Sequence, residues 1–184
     1  MQAEASNSNT SMESGLPGMC GIEHIGLTVP NLDEATEFFV NVLGCKVVYS
    51  LQPAMRYRDN YLDVHPEADR KIRTLSCRNG AHFELFEFVS PDQNKRMPKF
   101  SDHGGCHIAF YVDNMDVAIA YLKSKGVTLF GEKRYGEGPE AGRDATFVHF
   151  KTPWGLILEL VSYPYGRAYE QEQPPMWQPD RFSL

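Results

Sequence analysis

His24-Ile-Gly-Leu-Thr-Val-Pro-Asn31 returns 83 residues later as His107-Ile-Ala-Phe-Tyr-Val-Asp-Asn114. The same offset pairs Asp33 with Asp116, Ala35 with Ala118 and Phe39 with Leu122. Each copy opens with alternating apolar residues, the period of a strand with one buried face, and continues into a helix signal. In the first copy Asn31 is a fitting N-cap, with Glu34 three residues on as its capping-box partner. Leu32, Ala35, Phe38, Phe39, Val42 and Leu43 then form one apolar stripe, which Gly44 stops. In the second copy Asn114 caps, Met115, Ala118, Ile119 and Leu122 make the stripe, and Gly126 stops it. The chain is an internal repeat.

Short strand-like runs follow each helix. They cover 46–50, 71–77 and 81–89 in the first half, with Asn79-Gly80 as a hairpin signal, and 128–130, 145–150 and 156–161 in the second. Each half therefore reads strand, helix, strand, strand, strand. A four-stranded half alone would leave open edges and an uncovered face. The expected fold is α+β: two βαβββ modules whose eight strands curl round a common cleft, helices outside. The expected organisation is a flexible tail over 1–18 and a single domain over 19–165. Its modules span about 19–92 and about 103–165, and a C-terminal tail covers 166–184. The first half carries a longer connection, 51–70; the second carries a Gly-rich loop, 136–142, suited to act as a lid.

The 184 residues include 42% hydrophobic and 23% charged residues, an ordinary globular composition. Eighteen Lys and Arg against 24 Asp and Glu leave a net charge of −6, which argues against nucleic acid as a partner. No apolar run is long enough to span a bilayer, and the first residues lack a signal-peptide pattern, so the cytoplasm is the expected location. Cys20, Cys45, Cys77 and Cys106 include no Cys-x-x-Cys pair; they read as reduced, mostly buried thiols. No Gly-rich nucleotide motif opens a helix.

Strand parity points to the chemistry. Residues i and i+2 share a face, so Ile25, Leu27, Val29 and Ile108, Phe110, Val112 pack under the helices. His24 and His107 then face the cleft. Glu84 and Glu159 each precede a leucine that belongs on the helix side, which turns both carboxylates to the same cleft. A single histidine on a strand is ordinarily a core or edge residue. Two histidines and two carboxylates in repeat-matched pairs describe a divalent-metal site. His65, His82, His103 and His149 have no repeat-matched partner and read as surface or supporting groups, and Glu87 falls on the opposite face from Glu84.

Ile22-Glu-His24-Ile-Gly-Leu-Thr-Val, Phe83-Glu84-Leu-Phe-Glu-Phe, Gly105-Cys-His107-Ile-Ala-Phe-Tyr-Val and Thr152-Pro-Trp-Gly-Leu-Ile-Leu-Glu159-Leu-Val resemble the vicinal oxygen chelate superfamily. That is the glyoxalase, bleomycin-resistance and methylmalonyl-CoA epimerase group. The resemblance covers roughly 20–164 and implies His24, Glu84, His107 and Glu159 as ligands of one divalent ion (Zn, Ni, Co, Mn or Fe). It further implies an enzyme acting on a small molecule by proton transfer α to a carbonyl, with Glu159 and Glu84 as base and acid in an order left open. An epimerase or isomerase leads. A glyoxalase I-like lyase, a ring-cleaving dioxygenase and a metal-free binding or resistance protein are the alternatives. Members often pair, so a homodimer is an open expectation.

Arg56, Arg58, Arg70, Arg73 and Arg143 lie in or beside segments expected to rim the cleft, and Tyr111 shares the face of His107. Arg56, Arg143 and Tyr111 are the candidate substrate contacts. They suit an anionic or polyhydroxylated substrate.

Overall fold

The computed structural model describes residues 16–17, 21–51, 61–78 and 81–171. The expected N-terminal tail up to residue 15, the Asn79-Gly80 turn, Arg56, Arg58, Cys20 and the end of the chain after 171 lie outside the described residues. The first module runs β1 (His24–Thr28), α1 (Leu32–Asn41), β2 (Lys46–Leu51), β3 (Asp69–Ser76) and β4 (His82–Val89). The second runs β5 (His107–Tyr111), α2 (Met115–Ser124), β6 (Thr128–Leu129), β7 (Arg134–Tyr135), β8 (Thr146–Lys151) and β9 (Ile157–Ser162).

The α+β plan of two repeated modules is present. Its strands form two sheets, ordered β1-β4-β3-β2 and β5-β9-β8-β6, with β7 also paired to β8. There are thus nine strands among the described residues, because the second strand of the second module is split into two short pieces, β6 and β7, both paired with β8. In each sheet the first strand pairs in parallel with the last, His24 beside His82 and His107 beside Ile157.

Both helices begin where the sequence places them. Asn31 Oδ1 accepts from the Glu34 amide at 2.9 Å, and Asn114 Oδ1 accepts from the Val117 amide at 3.1 Å. The first helix has a further cap: the Leu32 amide donates to Glu87 Oε2 at 2.7 Å, and Lys71 Nζ donates to Glu87 Oε1 at 2.7 Å. The Lys71 bond, aided by the Leu32 amide, holds the Glu87 carboxyl below its ordinary range. Glu87 therefore serves the helix face, as its parity requires. Gly44 and Gly126 end the helices at φ of 74° and 72°, the left-handed region that only glycine enters without strain.

The core lies on the helix side of both sheets. Phe39, Leu85, Leu75, Phe150 and Leu158 have no exposed surface and belong to one apolar cluster that includes residues of both modules. Aromatic rings join the halves: Trp154 lies 5.7 Å from Phe38 and 6.2 Å from Phe39, and Phe110 lies 6.0 Å from Phe83. Burying the helix faces this way leaves the opposite faces of the sheets to carry polar groups. Among the thiols, Cys45 is buried, Cys77 is half-buried at 3.4 Å from it, and Cys106 is exposed, against the expectation that most are buried.

Candidate metal and substrate site

Strand register decides what meets on the polar faces. In the first sheet Gly26 and Thr74 flank Glu84 across β1 and β3, and His24 is the neighbour of His82. His24 Nε2 lies 3.6 Å from Glu84 Oε2, and its Nδ1 is hydrogen-bonded to the adjoining Glu23 carboxylate. That bond, with the charges of Glu23 and Glu84, raises the His24 imidazole above its ordinary value. Glu23, His24, Val48, Tyr49, Thr74, His82 and Glu84 line a cavity of about 200 Å3. Burial lowers the Arg70 guanidinium from its ordinary value while the charge of Glu84 opposes it, so Arg70 stands within the field of this group.

In the second sheet His107 Nε2 lies 3.1 Å from Glu159 Oε2, and His149 Nε2 lies 3.6 Å from Glu159 Oε1. His149 is the cross-strand partner of Glu159. The ligand atoms of His107, His149 and Glu159 all lie within 4.8 Å of one another, and they form the one such group of three among the described residues. The Glu159 side chain is only 12% exposed, a costly burial for a charge unless it is compensated. Two imidazole nitrogens and one buried carboxylate are a donor set that fits a divalent transition metal. Phe100 stands over this group, 5.2 Å from the His107 ring and 6.3 Å from that of His149. The turn that carries it closes on Gly105, where a Cβ would meet the carbonyl oxygens of Lys99 and Phe100 at 2.3 and 2.7 Å.

The structure therefore brings the four sequence-derived ligands together as two pairs, His24 with Glu84 and His107 with Glu159. The second pair alone enters a group of three, whose third member is His149 and not a residue from the first module. Reading His149 as a surface or supporting group is corrected: it is half-buried on the face of Glu159. A usable signal was present. The last strands repeat at an offset of 75, from Glu84 to Glu159, and that offset carries Thr74 onto His149. The two positions share no residue type, because the first module has threonine there. His82, two residues before Glu84, is likewise on the cavity and not simply supporting.

The arginines divide. Arg73 is corrected from a rim residue to a structural one: Nη1 donates to Asp33 Oδ1 at 2.9 Å and Thr36 Oγ1 at 2.8 Å, tying β3 to α1. Arg143 stacks on the Tyr165 ring at 3.3 Å, and Tyr111 meets Tyr163 edge-on at 4.9 Å. Arg167, not singled out from the sequence, stacks on the Tyr163 ring at 4.0 Å. The Gly-rich loop is no open flap. The Gly136 amide donates to the Ala145 carbonyl at 3.0 Å and the Ala168 amide to the Ala141 carbonyl at 2.7 Å, which ties both its ends.

Residues 23–147 match the family model of the glyoxalase/bleomycin resistance protein/dioxygenase superfamily. A 2-epi-5-epi-valiolone epimerase from Actinomyces sp. is 38% identical over 171 residues, spanning 90% of this chain and 92% of that protein. The mitochondrial methylmalonyl-CoA epimerase of Bos taurus is 26% identical over 140 residues, 76% of this chain and 72% of that one. Among solved structures, a glyoxalase family protein from Bacillus cereus superposes with a TM-score of 0.63 at 17% identity, covering 83% of this chain and 98% of its own. At that identity the likeness concerns the fold. No described helix is long and apolar enough to cross a membrane.

Proposed function

The chain belongs to the glyoxalase/bleomycin resistance protein/dioxygenase superfamily, and on that premise we propose that it is a metal-dependent epimerase acting on the carbon beside a carbonyl. The observation that carries the reading is the matched pair of glutamates. Each module supplies one, and each is held within 3.6 Å of a histidine at the same place in its repeat. Inverting a carbon requires a proton to leave one side and arrive on the other, and two carboxylates from opposite halves of a pseudo-twofold are suited to that.

His107, His149 and Glu159 would hold the cation, which leaves positions open for two substrate oxygens, and His24 and Glu84 would face the bound substrate from the first module. A divalent cation held there would supply Lewis-acid polarisation of a carbonyl and its neighbouring oxygen, stabilising negative charge that develops on the carbonyl oxygen. Glu159 and Glu84 act as base and acid on the α-proton. The Nε2 atoms of His107 and His149 each face one oxygen of Glu159, so the three donors would close on a common point, and the Phe100 ring packs beside the His107 ring. The substrate is a small polyhydroxylated ketone, for which the relative's 2-epi-5-epi-valiolone is the first candidate. Assembly as a homodimer and a cytoplasmic location complete the proposal. A second reading follows from the trio itself: two histidines and one carboxylate also suit a non-haem iron dioxygenase, which oxygen uptake on catechols would reveal.

Incubation with 2-epi-5-epi-valiolone in deuterated water tests the proposal. The expected result is an epimer carrying deuterium at a carbon next to the carbonyl. Unchanged, undeuterated ketone after loading with each of the candidate metals would count against it.

A further inference from the structure

We propose that Thr74 is a specificity-determining residue whose hydroxyl pairs with a hydroxyl of the substrate in the cavity beside His24 and Glu84. The inference rests on the epimerase reading above and deepens it. Thr74 is 7% exposed, and its Oγ1 is buried without a hydrogen-bond partner among the described residues. A buried hydroxyl left unpaired is costly, and valine would fill the same space on a strand without that cost. The side chain shares the face of its partner Glu84 and reaches the wall of the 200 Å3 cavity.

Three further observations make this a built pocket. The pairing of β2 with β3 slips between Val47 and Tyr49, so Tyr49 comes to lie opposite Thr74 and both Val48 and Tyr49 line the cavity. Bulges of this kind re-aim side chains at sites. His82 Nδ1 is another buried polar atom without a hydrogen bond among the described residues; it lies 3.7 Å from Glu23 Oε1 on the same wall. The volume is below the roughly 300–1,000 Å3 of pockets that take drug-sized ligands, which suits a small polyol ring.

The repeat sharpens the argument. Thr74 faces Glu84 as His149 faces Glu159, so one register position carries a hydroxyl in the first module and a metal-type donor in the second. The two sheets thus divide the work: the second gathers the cation ligands, and the first reads the hydroxyl pattern of the substrate. A site arranged to pair a substrate hydroxyl discriminates strongly against analogues that lack it.

The test compares the unaltered protein with Thr74→Val and Thr74→Ser, using 2-epi-5-epi-valiolone as the probe in steady-state kinetics and thermal unfolding. Thr74→Val is expected to raise KM about tenfold with kcat within roughly twofold, and to unfold at the same or a higher temperature. Thr74→Ser should keep the original KM. An unchanged KM in an active Thr74→Val would overturn this inference alone. Loss of folding in Thr74→Val would overturn it too, since it would give the hydroxyl a structural partner. Inactivity of the unaltered protein on the ketone would overturn the epimerase reading, and this inference with it.

Discussion

Glu159→Gln is expected to slow epimerisation by about a thousandfold while the protein stays folded. The carboxylate is 12% exposed and has a histidine facing each oxygen, His107 at 3.1 Å and His149 at 3.6 Å, so it is flanked on both sides. Glutamine keeps the shape and one acceptor oxygen but removes the charge and the basicity. Positioned general bases contribute on the order of 10²–10⁴ in rate, and the same change weakens the metal ligand. Removing a buried charge also relieves its desolvation, which offsets part of the lost pairing, so the cost to folding stays small. Single-turnover rates beside circular dichroism would check this. A loss below about tenfold would remove Glu159 from the proton-transfer step.

Phe39→Ala carries the largest expected effect on stability, about 3–5 kcal/mol, the range for deleting a buried phenylalanine. Phe39 has no exposed surface and lies 5.0 Å from Phe83 and 6.2 Å from Trp154. Those neighbours come from β4 of the first module and from the turn before β9 of the second. A void there loosens both modules together. Against a total of about 5–15 kcal/mol for a typical domain, the variant should be partly unfolded at moderate temperature. Denaturant unfolding followed by tryptophan fluorescence and by circular dichroism would report it. A cost below about 1 kcal/mol would mean that the halves do not share this core.

The repeat made the module plan legible because each strand-helix opening is a local pattern. Asn31 and Asn114 cap where they stand, and the leucines beside Glu84 and Glu159 set which way the carboxylates turn. His149 escaped because its role comes from cross-strand register, and its first-module counterpart is Thr74, which shares no side-chain chemistry with it. Arg73 misled because a charge near a loop reads the same whether it meets solvent, substrate or Asp33. The division of β6 from β7 depends on how loop 130–133 leaves the sheet, which carries no periodicity. Arg143 and Tyr111 found aromatic partners, Tyr165 and Tyr163, in the last residues of the expected domain, after its last strand, where no periodicity marks them.

Elemental analysis of the purified protein beside the double variant His107→Ala, Glu159→Ala tests the central claim most directly. The account expects about one equivalent of divalent metal per chain, lost in the variant, with activity lost to chelator and restored by the metal. No metal in the unaltered protein, either as purified or after reloading, would contradict it and leave the cleft to a ligand bound without an ion.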